Sequence, residues 1–298
     1  MTNEKINLHT HSKFSDGKNT AEEHILAAIE KGFTIIGFSE HSIHPLNPDF
    51  YSEFDSVWHM PVESFSAYVS TISELKQKYD GRIKILLGFE ADYFVREGIG
   101  SAVPDKTAYS QFQPDYLIGS IHFINTPKGY FTVDNKVEIV EQSLRRFYSK
   151  PDGTIDGKRA TCDYFEAERA MLREGNFEIL GHPDLIRLRN GPLHYFNEDE
   201  SWYKEQLKLT AKAATAAGVI AEINTGAIAR GMMDDVYPSA QFLEYLYEQG
   251  VPVCINSDAH KCEFLDAAFD LAAQKAKRAG YKELTYPSGS TCFSVPLH

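Results

Sequence analysis

Leu8-His9-Thr10-His11 puts two imidazoles two residues apart, a spacing that on an extended strand turns both side chains to one side, where they can bind one cation. Asp16-Gly17 follows within a short loop and offers a carboxylate as a third ligand. The same residue types recur as Ser39-Glu40-His41-Ser42, Gly88-Phe89-Glu90-Ala91-Asp92, Gly119-Ser120-Ile121-His122 and Gly181-His182-Pro183-Asp184. Asn256-Ser257-Asp258-Ala259-His260 repeats the i, i+2 spacing near the other end of the chain. Imidazoles and carboxylates without thiolates suit zinc, manganese or iron, and the ligand set does not choose among them. A single histidine in a loop is commonly just hydrogen-bonded there. Chance does not readily place histidines at several strand ends, so the pattern reads as a multi-metal enzyme.

Convergence requires elements that open onto one face. Apolar runs occur at Ile6 to His11, Phe33 to His41, Ile83 to Tyr93, Tyr116 to Phe123, Phe177 to His182, Val219 to Thr225 and Val251 to Asp258. They lack polar alternation, as expected of strands covered on both faces in a parallel sheet. Segments with helical spacing lie between or after them: Thr20 to Lys31, Val62 to Tyr79, Val137 to Ser149, Tyr164 to Glu174, Trp202 to Ala217, Ala240 to Gln249 and Leu265 to Ala279. In the first, Thr20 and Glu23 form a capping box, and Ile25, Leu26 and Ile29 make an apolar stripe. Alternation of strand and helix predicts an α/β fold, a barrel or a doubly wound sheet. The even spread of ligand candidates over the strand ends favours the barrel, whose strands all open on one face. Pro45 to Pro61, Ser101 to Pro114 and Ser149 to Asp163 read as long loops, and the first carries Phe50, Tyr51, Phe54 and Trp58.

The chain has 298 residues with 43% hydrophobic and 24% charged, the balance of a soluble globular protein, and no linker, repeat or low-complexity tract divides it. One domain over residues 1–298 is expected. The first apolar run is too short for a signal segment or a membrane span, so the expected location is the cytoplasm, with no membrane partner. Cys162, Cys254, Cys262 and Cys292 show no Cys-x-x-Cys spacing and are expected to be free. A net charge of −12 disfavours a long nucleic acid and leaves small anions held by metals compatible. The sequence does not specify an oligomeric state.

His9-x-His11 with Asp16-Gly17, Ser39-Glu40-His41, Gly88-Phe89-Glu90, His122, Gly181-His182-Pro183 and Ser257-Asp258-Ala259-His260 together resemble the motifs of the polymerase and histidinol phosphatase (PHP) family, over almost the whole chain. The resemblance implies a distorted (β/α)7 TIM-like barrel with three divalent metal ions at the C-terminal ends of the strands. It implies His9, His11, Glu90 and Asp258 around one ion. Glu90 would bridge to a second ion held also by His122 and His182, and Asp16, His41 and His260 would hold the third. All nine positions carry competent ligands. The run from Asp16 to Glu23 and Ile36-Gly37-Phe38-Ser39-Glu40-His41 are most similar to the stand-alone histidinol phosphatases of the family.

The expected reaction is therefore hydrolysis of a small phosphate monoester, L-histidinol phosphate of histidine biosynthesis, by a hydroxide held between metals that share Glu90. Inversion at phosphorus is expected. Asp258 and His260 are the candidates to assist the leaving oxygen, and Arg159 and Arg230 the candidates to bind phosphate, with Arg187 and Arg189 as competitors. A PHP-type phosphodiesterase or exonuclease, or a phosphatase of another small ester, is the runner-up. Amide or cyclic-ester hydrolysis is disfavoured because no lysine ends the middle strands to bridge metals. A metal-binding regulatory subunit would bind ions without turnover.

Overall fold

Ile6–Asn7 (β1), Ile35–Ser42 (β2), Lys84–Asp92 (β3), Tyr116–Ser120 (β4), Ile179–Leu180 (β5), Ile220–Asn224 (β6) and Val253–Asn256 (β7) pair in sequence order, every pairing parallel. The structure is a computed structural model that describes residues 4–45, 50, 58–96, 100–289 and 291–297. All seven predicted strands are present. Six of them leave the ladder before the predicted end, β3 and β6 by one residue only, and His9, His11, His122, His182 and Asp258 sit just beyond β1, β4, β5 and β7. His41 and Glu90 lie within the last residues of β2 and β3.

The sheet closes between β1 and β7 by a seam built as much from side chains as from backbone. Leu8 donates its amide to Asn256 Oδ1 at 2.7 Å and Ser257 donates its own to Asn7 Oδ1 at 3.1 Å. The backbone completes the seam one turn on, with His11 N donating to Ala259 O at 3.0 Å and Ala259 N to His9 O at 3.1 Å. Closure thus places His9 and His11 beside Asp258 and His260, although almost 250 residues separate them in the chain. The result is a nearly closed α/β barrel.

Buried Tyr116 reaches from β4 to β1 and β2, where its hydroxyl donates to Leu8 O and, at 3.1 Å, to Phe38 O. Two glycines make that crossing possible. A Cβ on Gly37 would stand 2.3 Å from the Tyr116 hydroxyl, and one on Gly88 would stand 2.4 Å from its ring. The apolar faces of the strands pack outward on helices Ala21–Glu30 (α1), Phe65–Lys78 (α2), Val137–Tyr148 (α3), Gly157–Glu174 (α4), Ser201–Ala217 (α5), Ala240–Glu248 (α6) and Phe269–Ala279 (α7). Thr20 caps α1 with the expected capping box, in which Thr20 and Glu23 each satisfy the other's backbone amide.

The helix α4 begins seven residues before the predicted start. Asp156 caps it by accepting from Arg159 N at 3.2 Å, so the second half of the expected loop from Ser149 to Asp163 is helical. Hairpins Phe94–Arg96 with Gly100–Ala102 and Phe123–Thr126 with Gly129–Thr132 directly follow β3 and β4. Ile43, Phe50, Phe94, Ala102 and Phe123 form a small second apolar cluster with Trp58 at its edge. Tyr51 and Phe54 of the expected aromatic loop lie outside the described residues. Among the described residues no helix is long and apolar enough to cross a membrane.

Candidate metal centre

The barrel brings all nine sequence-predicted ligands together. His11, Asp16, His41 and His260 form one group, His9, His11 and Glu90 a second, and His41, Glu90 and His122 a third, each with its ligand atoms within 4.8 Å of one another. Asp258 Oδ1 lies 3.2 Å from His11 Nε2 and 3.7 Å from His9 Nε2. His182 Nε2 lies 2.7 Å from Glu90 Oε1. Glu90 is thus shared between groups, as the resemblance implies, while His11 and His41 each face two groups rather than one. The backbone is strained at two of these positions: His182 has φ 25° and Asp258 φ 47°, in the left-handed region that favours glycine.

The chemistry of the donor atoms fits bound cations. His9 Nε2, both ring nitrogens of His11, Asp16 Oδ1, His41 Nδ1, Glu90 Oε2 and His182 Nδ1 are buried without a hydrogen bond, half of all such side-chain atoms among the described residues. Each unsatisfied buried polar atom costs about 1–3 kcal/mol. Their concentration on the predicted ligands identifies a site for divalent cations, where lone pairs are met by metal instead of by protein donors.

Electrostatics agree. Burial alone would raise Glu90, yet the charges of His9, His41 and His122 hold its carboxyl well below the usual range. Burial, then the charges of His41 and His260, pushes His11 down to about 3. Burial also opposes the charged form of His122, but Asp92 and Glu90 raise it to about 10. Protons and cations compete here for one set of lone pairs.

Buried carboxylates behind the candidate ligands aim them through hydrogen bonds. Glu222 of β6 accepts from His9 Nδ1 at 2.7 Å and Asn256 Nδ2 at 2.9 Å on Oε1, and from His182 N at 2.8 Å and Asn224 Nδ2 at 2.9 Å on Oε2. Donation from Nδ1 leaves His9 Nε2 as the bare nitrogen facing the cluster. Asp92 accepts from His122 Nδ1 at 2.5 Å and from His59 Nε2 at 2.6 Å. Burial would raise Asp92, but His122 and then His59 bring it down to about 2. Glu40 accepts from Ser12 N and Oγ and from Ser15 Oγ, which fixes the loop carrying Asp16.

Sequence reasoning missed Glu222 and the roles of Asp92 and Glu40. The signal for Glu222 was available: an acid in the middle of the apolar run Val219 to Thr225 needs partners if both faces of the strand are covered.

The four arginines separate. Arg230 lines the site cavity and donates to Asp258 Oδ2 at 3.1 Å and Asp258 O at 3.2 Å. Gly226 leaves room for this pair, because a Cβ there would stand 2.8 Å from Asp258 Oδ2 and 3.1 Å from Arg230 Nη1. Arg159 is not brought to the cavity: it is exposed on the first turn of α4, 5.9 Å over the Tyr148 ring, because the segment is helix rather than loop. Arg187 is buried and bonded to Glu198, Asp235 and Val236 O. Arg189 lines the cavity but donates Nε to Asn135 O at 2.6 Å and Nη2 to Asp134 O at 2.7 Å. The cavity measures about 440 Å³, with Trp58, Leu188, Met232 and Phe264 as apolar wall, and suits a small ligand.

Residues 7–226 match the PHP domain family. The chain is 28% identical over 290 residues to a protein of Schizosaccharomyces pombe named probable histidinol-phosphatase, covering 94% of this chain and 88% of that one. It is 24% identical over 274 residues to the histidinol-phosphatase of Bacillus subtilis, covering 90% of this chain and 97% of the other. Its fold is similar to the crystal structure of histidinol phosphate phosphatase from Lactococcus lactis subsp. lactis complexed with zinc, L-histidinol and phosphate. That likeness has a TM-score of 0.70 at 20% identity and covers 97% of this chain and 99% of the other.

Proposed function

The chain belongs to the PHP domain family, and from that membership and the geometry of its site we propose that it is a metal-dependent phosphomonoesterase that hydrolyses L-histidinol phosphate to L-histidinol and phosphate. The observation that carries the chemistry is the concentration of unbonded buried imidazole and carboxylate atoms beside Arg230 at one end of a small cavity. Support for the substrate comes from the relatives named histidinol-phosphatase, which align along nearly the whole chain. Three divalent ions are proposed, zinc, manganese or iron, with residues 1–298 acting as one domain. The four cysteines are free, which suits the reducing cytoplasm.

His9, His11, Glu90 and Asp258 would hold one ion, Glu90, His122 and His182 a second, and Asp16, His41 and His260 the third. When bound, such ions neutralise phosphate charge and lower the pKa of a water towards about 7, which supplies the nucleophile. The protein's own residues set the rest. Glu222 and Asp92 fix which nitrogen His9 and His122 present. Arg230 offers a guanidinium to two phosphate oxygens, a fork that matches the ligand's geometry. Asp258 is anionic: burial would raise it, but Arg230 and then His9 hold it well below the usual range. Its Oδ1, the oxygen Arg230 leaves free, is the atom proposed to take the proton of the attacking water. The leaving oxygen would take that proton back from Asp258, and His260, bonded through Nδ1 to Asp258 O at 3.0 Å, steadies the residue while leaving Nε2 for the third ion.

The test is a panel of phosphate monoesters and diesters assayed after loading with zinc, manganese or iron. Turnover of L-histidinol phosphate above the other monoesters is expected. Release of nucleotides from single-stranded DNA with no turnover of L-histidinol phosphate would replace the reading with that of an exonuclease.

A further inference from the structure

Three carboxylates line the cavity, Asp16, Asp134 and Asp258. Two are paired within the site: Asp16 Oδ2 lies 3.1 Å from His260 Nε2, and Asp258 Oδ2 accepts from Arg230. Asp134 differs, since among the described residues its carboxylate has no hydrogen bond or ion pair. Its backbone is nevertheless firmly held. The neighbouring Val133 amide donates to His122 O at 2.9 Å, and Arg189 clamps the carbonyls of Asp134 and Asn135. The loop between the second hairpin and α3 therefore presents a fixed carboxylate without a partner. It shares the cavity lining with His122, His182 and Arg230, on the side of the reacting groups.

A lone carboxylate in a cavity that must admit a phosphate weakens phosphate binding by like-charge repulsion unless the ligand brings a cation of its own. The cations that also line the cavity, Lys18, Lys136, Lys261, Arg189 and Arg230, make no ion pair with it among the described residues. Arg230 faces Asp258 instead, and the Nε and Nη2 of Arg189 bond to main-chain carbonyls. We infer that Asp134 is the anchor for a substrate ammonium, so that the cavity selects phosphate monoesters of amino alcohols over phosphate monoesters in general. This rests on the function proposed above, whose substrate carries an ammonium one carbon away from the phosphorylated carbon. Recognition then divides between two charges of opposite sign. Arg230 and the ligand cluster take the phosphate, and Asp134 takes the amine.

The experiment compares kcat/KM of the metal-loaded enzyme for L-histidinol phosphate and for the same ester with hydrogen in place of the amino group. Wild type, Asp134→Asn and Asp134→Glu are assayed. Loss of a charge-assisted hydrogen bond is expected to lower the ratio of amine to des-amino ester by about tenfold or more in Asp134→Asn. Asp134→Glu, which keeps the charge, is expected to retain most of the preference, and inhibition by L-histidinol is expected to weaken only in the asparagine variant. Equal losses on both esters, as from a damaged fold or a lost proton donor, would overturn the assignment. So would a wild type that does not distinguish the two esters. A wild type that hydrolyses neither refutes the proposed function, and the subsite with it.

Discussion

Glu222 Oε1 accepts the Nδ1 proton of His9 at 2.7 Å while its other oxygen accepts the His182 amide at 2.8 Å. One carboxylate on β6 thereby fixes candidate ligands that follow β1 and β5, on either side of Glu90. Glu222→Gln keeps the shape and removes the charge that holds the Nδ1 tautomer of His9. Metal affinity is expected to fall by about tenfold to a hundredfold, the effect usual for a partner behind a metal-bound histidine. Metal analysis after dialysis against a graded chelator checks this. Wild-type retention would mean that Glu222 is merely a buried strut.

Gly226 touches no ligand directly, yet its missing side chain shapes the site. A Cβ 2.8 Å from Asp258 Oδ2 must displace the carboxylate or Arg230. Gly226 lies at the start of the short helix Gly226–Ala229 and its φ is not in the left-handed region, so alanine is compatible with the backbone. Gly226→Ala is therefore expected to leave the melting temperature nearly unchanged and to lower kcat/KM by about tenfold or more, the equivalent of about 1.4 kcal/mol. Arg230→Ala should cause a loss at least as large, and the double variant should lose less than the product of the two because both act through one pair.

The candidate ligands were legible because a parallel barrel turns sequence position into spatial position: the end of each apolar run is a place on one face. Convergence of His9, Glu90 and Asp258 could therefore be expected from the apolar runs, whereas their grouping around one ion came only from the family motifs. Glu222 was harder to see because it lies inside a run, where apolar neighbours mask a residue whose four partners come from β1, β5, β6 and β7. Arg159 was misplaced for a local reason. Pro151, Gly153 and Gly157 read as loop, whereas Asp156 caps a helix whose first turn carries the arginine outward. The arginine that does reach the site, Arg230, follows a strand that offers no ligand, and its pairing with Asp258 depends on tertiary closure.

Metal removal is expected to destabilise the protein as well as inactivate it. Without cations, His9 Nε2, Glu90 Oε2 and their neighbours remain buried without hydrogen bonds, and an ion that binds only the folded chain adds about 2.7 kcal/mol at a hundred times its Kd. Melting curves of chelated and reloaded protein should differ by several degrees, about three ions per chain should rebind, and Glu90→Ala should bind fewer. A melting temperature indifferent to chelator would contradict the proposed ligand set.

Glu168 offers a test of pH dependence away from the centre. It is buried on α4 with Oε2 unbonded, and burial followed by the charge of Asp184 raises its carboxyl from 4.5 to about 8. A carboxyl whose folded pKa exceeds its unfolded pKa binds more protons in the folded state between those values, so stability decreases as pH rises through that window. Below about 4.5 the group is protonated in both states and contributes no slope; above about 8 the full penalty of a buried anion is present. Glu168→Gln, which is neutral throughout, should melt close to wild type near pH 5 and above it near pH 8.5, flattening the alkaline side of the stability profile. Parallel profiles for the two proteins would show that Glu168 finds a partner or water when it ionises.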